Sequence, residues 1–363
     1  MTIGPVRIGI VGTGHVGPHV AYSLMMQGIA DEVHLCDVND SKVTAEAQDL
    51  NDASVFAPHR VRVWNHHTDY EALASCDVIV NAAGHVTLSS KDRDGELYAT
   101  ARMVRTFVGR IAAAGFTGFW VNVTNPNDVV TREIHRLSGL PASHVMGTGT
   151  CLDSARLRSA IALATDVAPE SIVAYMLGEH GFSEIPAWSA VSFAGKPLAQ
   201  LAASDPDRYG FDKAELSEQA LRGGYWCYTG KHCTEYAIAN SAARIVRAIV
   251  HDEHVVLPVC TYLDGEYGQR GLFISVPAMV SAQGVGPVTE LTLTEEEQAG
   301  FAASCDKVRA NYAKLPPFAV EDARRVPVTI PADPAHDDVY ARGGFIGIAC
   351  GPEVFPSDPQ AAR

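Results

Sequence analysis

The feature that most constrains the fold is a glycine-rich turn near the start of the chain. The run Gly12-Thr13-Gly14-His15-Val16-Gly17 follows an apolar, β-branched stretch at residues 6–12 and precedes apolar positions at helical spacing over residues 15–28. In this order the glycines permit a tight turn, a close approach of the backbone to a pyrophosphate, and close packing of the helix on the strand. The helix N-terminus adds free N–H groups and the positive end of its dipole. The context predicts a dinucleotide-binding unit, and a glycine turn without a ligand is the alternative for the six residues alone.

An acidic residue at the end of the next predicted strand indicates which dinucleotide is bound. Asp37 lies 20 residues after Gly17 and directly follows the apolar run at residues 33–36. A carboxylate at this position accepts hydrogen bonds from ribose hydroxyls and repels a 2′-phosphate. The sequence therefore predicts NAD as the cofactor, with the candidate cofactor-binding residues Gly12, Gly14, His15, Val16, Gly17 and Asp37.

Strand-like and helix-like segments alternate up to about residue 147, and this alternation predicts a parallel sheet with right-handed crossovers. The second half mixes helices with hairpin-like strands around residues 255–263 and 272–277, and a polar stretch at 204–212 is typical of a surface loop. Eight of the 20 prolines fall in the last 48 residues, which indicates an irregular tail. The predicted fold class is α/β. It comprises a Rossmann-type parallel sheet domain at 1–147, a mixed α+β substrate domain at 148–315 and a proline-rich tail at 316–363.

Composition excludes several classes of partner. In 363 residues, 28 Lys and Arg against 42 Asp and Glu give a formal net charge of −14. Nucleic acids and anionic membranes require clustered positive charge, so neither is expected as a partner. The start of the chain lacks a signal-peptide pattern, no apolar run has transmembrane length, and none of the eight cysteines forms a Cys-x-x-Cys pair. These patterns favour a reduced, cytoplasmic protein, and no metal-binding residue is predicted.

Four further segments carry side chains suited to acid–base chemistry and anion binding. Asp153 and Arg156 lie three residues apart in a predicted helix, and a histidine follows a predicted strand within Gly178-Glu179-His180-Gly181. A histidine held by a buried carboxylate is a natural proton donor to a carbonyl. A fixed guanidinium grips a carboxylate through two parallel hydrogen bonds. Arg93 lies in a polar loop and Asn125 follows a predicted strand. A packed core histidine and a solvated helix arginine are the structural alternatives for these residues.

Taken in order, the motifs from about residue 6 to residue 314 resemble those of the L-lactate/L-malate dehydrogenase family. Besides the glycine turn, the resemblance rests on Leu152-Asp153-Ser154-Ala155-Arg156, on Gly178-Glu179-His180-Gly181, and on Gly265-Glu266-Tyr267-Gly268 with Val276-Pro277-Ala278 downstream. It implies hydride transfer between NADH and C2 of a 2-oxo acid. It also implies a small-molecule 2-oxo or 2-hydroxy acid substrate and a homodimer or homotetramer.

The resemblance implies a role for each matching position. His180 corresponds to the catalytic acid/base, and Asp153 to the carboxylate that orients it and raises its pKa. Arg156 corresponds to the clamp on the substrate carboxylate, and Arg93 to the mobile-loop residue that polarises the carbonyl. The loop around residues 85–96 is expected to close as a lid and exclude water. The remaining matches are Asn125, close to the nicotinamide and the substrate hydroxyl, and Thr234, on the pocket wall.

Thr87 departs from the family pattern at the position that reads the substrate side chain. The family has Gln there in lactate enzymes and Arg in malate enzymes. A small uncharged residue leaves a second substrate carboxylate unpaired, which is costly in a buried site. This predicts a non-standard, bulkier or neutral polar 2-oxo acid, although Lys91 or His85 can supply a cation for a dianionic one. Two other functions stay open: reduction of an imine or another carbonyl compound, and NAD binding without catalysis.

Overall fold

The computed structural model describes residues 4–84 and 93–319, without the side chains of residues 93–95 and of Tyr225. The interpretation of Thr87, most of the predicted lid and the tail from residue 320 lie outside the described residues. The side chain of Arg93 lies outside them as well, although its backbone begins a helix.

Six parallel strands form the first half of a nine-stranded sheet. They are β1 (Arg7–Val11), β2 (Glu32–Cys36), β3 (Arg62–Asn65), β4 (Val78–Asn81), β5 (Phe119–Asn122) and β6 (Val145–Gly147). Their spatial order is β3-β2-β1-β4-β5-β6, which is the order of a doubly wound dinucleotide-binding sheet. The central strands β1 and β4 are short β-branched runs that are buried on both faces because helices cover both sides of the sheet, whereas the edge strand β3 is partly exposed. The predicted Rossmann-type domain is confirmed.

Ten α-helices lie in the described part of the chain. They are α1 (Val16–Met26), α2 (Asp40–Ala53), α3 (Arg93–Ala113), α4 (Asn127–Ser138), α5 (Cys151–Thr165), α6 (Leu198–Ser204), α7 (Pro206–Tyr209), α8 (Lys213–Lys231), α9 (Tyr236–Val250) and α10 (Glu295–Lys314). On one face of the sheet, Leu24 of α1 and Ile245 of α9 belong to one apolar core. On the other face, Phe107 of α3 and Ile134 of α4 pack with Trp120. None of the described helices combines the length and apolarity needed to cross a bilayer.

The strands of the second half are β7 (Ile172–Val173), β8 (Met176–Leu177), β9 (Ile185–Pro186), β10 (Ser192–Phe193), β11 (Lys196–Pro197), β12 (Val255–Asp264), β13 (Arg270–Ser281) and β14 (Gly284–Val288). Strands β12, β13 and β14 continue the same sheet, whereas β7, β10 and β11 form a separate three-stranded antiparallel sheet. The predicted hairpin is β12–β13, and β12 pairs antiparallel with β6 at Cys260 and Gly147. Strands β8 and β9 pair as a separate antiparallel ribbon, and the loop between them carries His180.

Three helices differ from the sequence-based expectation. The stretch 204–212, predicted as a loop, contains the short helix α7, which begins at Pro206 after the capping side chain of Asp205. The helical pattern of residues 214–222 predicts a helix that ends near Arg222, but α8 continues through Gly223 and Gly224 to Lys231. Each glycine is about 1 kcal/mol less favourable than alanine inside a helix, so tertiary packing must stabilise α8 at Gly223 and Gly224. Helix α4 was not predicted, although a proline directly before a helix is compatible with its start.

Candidate active site

The glycine turn has the close contacts that a phosphate cradle needs. Gly12 has a φ of +97°, and a Cβ there would lie 2.5 Å from the backbone N of Ala83. A Cβ on Gly17 would lie 1.9 Å from the carbonyl oxygen of Gly12, whereas the same atom on Gly14 would meet open space. Helix α1 starts at Val16, and its first turn carries no acidic side chain. The turn is therefore closed on the sheet side and open at Gly14, where an anion has access to the helix N-terminus.

Asp37 lies against this turn, as its sequence position predicts. Its Oδ2 accepts hydrogen bonds from the backbone N of Thr13 at 2.5 Å and from the Thr13 hydroxyl at 3.1 Å. Its Oδ1 accepts from the backbone N of Asn39 at 2.8 Å, so the carboxylate has one orientation. The side chain is half-buried, which leaves its outer face accessible to a diol. An open glycine cradle beside an oriented carboxylate fits the pyrophosphate and ribose of NAD.

His180 and Asp153 form a close pair at the junction of the two halves. The Nδ1 of His180 lies 2.6 Å from Oδ2 of Asp153, and Asp153 is 2% exposed in the first turn of α5. The backbone around His180 is held on two sides. Its own N–H donates to Oδ2 of Asp128 at 3.1 Å, and the N–H of Glu179 donates to the Ser304 hydroxyl at 2.8 Å. With Nδ1 bound to Asp153, the second ring nitrogen is left for a substrate proton.

The electrostatic surroundings favour the protonated imidazole. Burial lowers the pKa of His180, but the charge of Asp153 and the hydrogen bond to it outweigh burial, and the pKa is raised. Burial acts to raise the pKa of Asp153, but His180 and Arg156 bring it below its usual value. Burial and the nearby Glu179 charge raise the pKa of Asp128 to about 7. The imidazolium of His180 can therefore donate a proton, while the carboxylate of Asp153 stays ionised.

Arg156 shares Asp153 with the histidine. Its Nη1 donates to Oδ1 of Asp153 at 2.8 Å, one helical turn away. Its side chain packs under α8, because a Cβ on Gly223 would lie 2.9 Å from Cδ of Arg156 and one on Gly224 would lie 3.3 Å from its Nη2. The two glycines thus make room for the guanidinium. Sequence reasoning missed them, although a Gly-Gly pair inside a helical pattern is a usable signal for close packing.

A second missed contact joins the glycine turn to the substrate half of the chain. The Nδ1 of His15 lies 2.9 Å from Oε1 of Glu235, and the ammonium of Lys231 lies 2.5 Å from Oε2. The half-buried Thr234 is the residue next to this ion pair, and Asn125 is exposed in the loop between β5 and α4. His15 and Glu235 are 220 residues apart in the chain, so no local sequence pattern could have revealed their contact.

The described residues contain two groups of three side chains with metal-ligand chemistry. One comprises Asp153, His180 and Glu184, and the other comprises His15, Cys233 and Glu235. In the first group Asp153 is bound to His180 and Arg156, and in the second Glu235 is bound to His15 and Lys231. The prediction that the protein uses no metal stays a prediction.

Comparison with known families and proteins agrees with this geometry. The model of the lactate/malate dehydrogenase NAD binding domain matches residues 6–147, and that of the lactate/malate dehydrogenase alpha/beta C-terminal domain matches residues 150–318. The chain belongs to the lactate/malate dehydrogenase family. The resemblance inferred from the motifs, the NAD-binding domain and the dehydrogenase class are thereby confirmed.

Several relatives within this family are lactate dehydrogenases. L-lactate dehydrogenase 3 of Bacillus cereus is 40% identical over 309 residues, which cover 85% of this chain and 97% of the relative. The L-lactate dehydrogenase of Fusobacterium nucleatum is 39% identical and covers 82% of this chain and 93% of its own length. The ligand-bound structure of minor L-lactate dehydrogenase from Enterococcus mundtii superposes with a TM-score of 0.82 at 36% identity, covering 86% of this chain and 99% of its own.

One family structure carries both ligands. The lactate dehydrogenase of Cryptosporidium parvum, in complex with lactic acid and nicotinamide adenine dinucleotide, superposes with a TM-score of 0.78 at 26% identity. The superposition covers 86% of this chain and 98% of that one. The present structure brings together three of the predicted site residues, Asp153, Arg156 and His180, through direct hydrogen bonds. The side chains of Arg93 and Thr87 lie outside the described part of the chain.

Proposed function

We propose that this protein is an NAD-dependent dehydrogenase that interconverts a 2-oxo acid and the corresponding 2-hydroxy acid. The observation that carries the proposal is the 2.6 Å contact between His180 Nδ1 and Asp153 Oδ2, in a protein that has an open glycine cradle beside Asp37. When bound, NADH would donate the hydride to the 2-oxo acid, and NAD⁺ would accept it from the 2-hydroxy acid. A protein that only binds the dinucleotide has no need of a buried acid–base pair, which argues against the non-catalytic alternative.

The roles proposed for the site residues follow from their chemistry. His180, protonated because of Asp153, gives its proton to the carbonyl oxygen when the 2-oxo acid is reduced and takes it back in the reverse direction. Arg156 has a planar guanidinium that binds the substrate carboxylate with two parallel hydrogen bonds. Asn125 and Thr234 would border the space beside the cofactor, where they are placed by the resemblance alone. Arg93 would polarise the substrate carbonyl from the lid, where it is placed by the resemblance alone.

The cofactor side of the proposal rests on the glycine turn. Gly12 and Gly17 admit no side chain, and Gly14 leaves the approach to the helix N-terminus open for a pyrophosphate. His15 and Val16 present their backbone at the same end of α1. Asp37 would hold the adenine ribose through its hydroxyls and exclude a 2′-phosphate by charge repulsion.

The substrate is proposed to be a monocarboxylate that lacks a second charged group. Thr87 brings no cation to the position that selects the substrate side chain in this family. Phe182, two residues after His180, is 76% exposed, and it offers an apolar surface beside the reactive histidine. A bulkier apolar or neutral polar 2-oxo acid meets both conditions, because it leaves no charge unpaired on closure.

The proposal is tested by NADH oxidation with a panel of 2-oxo acids that includes branched, aromatic, dianionic and phosphonate-bearing members. Turnover of branched or aromatic 2-oxo acids is expected, and activity with oxaloacetate alone would refute the interpretation of Thr87. His180→Ala should lower kcat by at least about 100-fold while NADH binding, measured by fluorescence titration, stays intact. A variant with the turnover of the wild type would overturn the proposed acid–base role.

The assembly is proposed to be a homodimer or homotetramer in the cytoplasm. A groove of about 520 Å³ runs between α1, α2 and α9, with Tyr22 and Tyr236 exposed on its walls. Exposed aromatic side chains around an apolar groove are typical of an interface. The seven described cysteines are free, as a reducing compartment would keep them. Sedimentation of the wild type against Tyr22→Glu tests the assembly, and a monomeric wild type would refute it.

A further inference from the structure

A second carboxyl group, that of Glu184, lies beside the His180–Asp153 pair without a cation of its own. Strands β8 and β9 pair Leu177 with Ile185, so Glu184 lies opposite Gly178 at the base of the loop that carries His180. Glu184 is 6% exposed. Its carboxylate and the ligand atoms of Asp153 and His180 all lie within 4.8 Å of one another.

The two cationic side chains near Glu184, those of Arg156 and His180, already form hydrogen bonds with Asp153. Arg156 donates to one of its oxygens and His180 to the other. Glu184 Oε2 is buried and receives no hydrogen bond from the residues that the structure describes. Asp128 of α4 adds another buried carboxyl, whose Oδ2 accepts the backbone N–H of His180. Three buried carboxyl groups therefore face one guanidinium and one imidazole.

The carboxyl groups of Asp128, Asp153 and Glu184 cannot all be ionised in this buried site. Burying an unpaired carboxylate costs several kcal/mol, and in practice the group with the fewest compensating partners binds a proton instead. Asp153 has two charge-assisted hydrogen bonds and Asp128 accepts one backbone N–H, whereas Glu184 has no such donor. A protonated Glu184 next to an ionised Asp153 converts the repulsion of two carboxylates into a hydrogen bond.

We propose that Glu184 carries a proton at neutral pH and donates it in a hydrogen bond to Asp153, which makes it a positioning residue for the His180–Asp153 pair. By sharing the charge of Asp153, this hydrogen bond limits the basicity that Asp153 confers on His180. The part of the proposal that concerns turnover rests on the proposed function, whereas the protonation of Glu184 does not.

The surrounding charges agree with this assignment. Burial raises the pKa of Glu184 well above its ordinary value, and the charge of Asp153 and the hydrogen bond to it add to the rise. Asp128 acts in the same direction, and Arg156 opposes it. Glu179, the other acid of the loop, is paired with Lys307 at 2.8 Å.

Two variants of Glu184 separate a neutral from an ionised side chain. Glu184→Gln keeps shape and neutrality and still offers an N–H to Asp153, so the apparent pKa of His180 in kcat/KM should stay within about 0.3 unit. Glu184→Leu removes the donor, and that pKa should rise by about half a unit to one unit. If Glu184 is ionised in the wild type, Glu184→Gln removes a negative charge and lowers the pKa of His180. A lowered pKa in Glu184→Gln would overturn the proposal.

An infrared measurement decides the protonation independently of turnover. The difference spectrum of the full-length wild type minus Glu184→Gln at neutral pH should contain the C=O stretch of a protonated carboxylic acid, shifted in deuterium oxide. Glu218→Gln is the matched control, because Glu218 is exposed and pairs with Arg222, and its difference spectrum should show a carboxylate band instead. Absence of the protonated band in the Glu184 spectrum would overturn the proposal. If no 2-oxo acid is turned over, the proposed function fails while this spectrum still decides on Glu184.

Discussion

Replacing Asp153 by Asn gives the sharpest test of how the acid–base pair works. Asp153 is 2% exposed and accepts from His180 at 2.6 Å and from Arg156 at 2.8 Å. Asparagine fills the same volume but carries no charge, so it stabilises the imidazolium much less. A hydrogen bond to a charged group contributes about 1.5–3 kcal/mol. Since one pKa unit corresponds to 1.36 kcal/mol, the pKa of His180 should fall by about 1–2 units.

The pH profile of reduction reports this shift directly. His180 donates the proton only while it is protonated, so kcat/KM is high below its pKa and is lost as the pH rises through that pKa. Because the folded protein raises the pKa of His180, the wild type should keep its reductase activity above the pH at which an ordinary histidine deprotonates. In Asp153→Asn the fall should come about 1–2 pH units lower, with a roughly 10- to 100-fold loss of kcat/KM on the alkaline side.

The assay is NADH oxidation with the best substrate of the panel between about pH 5 and pH 10, with folding checked by circular dichroism. Asp306→Asn is the matched control, because Asp306 lies on the surface of α10 and pairs with Arg309. Its profile should coincide with that of the wild type. An Asp153→Asn profile with the midpoint of the wild type would refute the reasoning, and so would equal shifts in both variants.

Three further substitutions test the cofactor and substrate contacts. Asp37→Ser should raise kcat/KM with NADPH relative to NADH, because it removes the charge that repels a 2′-phosphate; equal use of both cofactors by the wild type would refute the role of Asp37. Arg156→Lys should raise the KM for 2-oxo acids by about 10- to 100-fold, since a point charge cannot replace two parallel hydrogen bonds. An unchanged KM would show that the carboxylate binds elsewhere. Gly223→Ala places a Cβ 2.9 Å from Cδ of Arg156 and should also raise KM, by about 10-fold. Gly230→Ala in the same helix meets open space and should leave KM unchanged, and equal KM values in the two alanine variants would contradict the packing argument.

The dinucleotide-binding half was predictable because its signals are local. A glycine turn between a β-branched strand and an amphipathic helix is typical of a dinucleotide-binding βαβ unit. The acid after the next strand is the position that binds the ribose in such a unit. The structure places Gly12, Gly17 and Asp37 as this pattern predicts, with Thr13 bridging the turn and the carboxylate. Residue spacing within a single βαβ unit contains all of this information.

The substrate half was less predictable because its contacts join distant parts of the chain. The pairing of His180 with Asp153 spans 27 residues, and only the family resemblance indicated it. Nothing local predicts that Gly223 makes room for Arg156 or that His15 pairs with Glu235. Helix α8 continues past the point where propensity alone would end it, because packing against α5 outweighs the cost of two glycines.

The sequence by itself determined the parallel sheet, the cofactor class and the family, since each depends on short patterns that physical chemistry interprets in one way. Only the tertiary structure decided the protonation states around His180. In the sequence Asp153 is distinguished by Arg156 three residues later and by the family motif, but nothing in the neighbours of Asp128 and Glu184 indicates their protonation states. Folding buries all three and gives the two charge-assisted hydrogen bonds to Asp153 alone. Burial penalises each charge, and the available donors decide which carboxyl group keeps it.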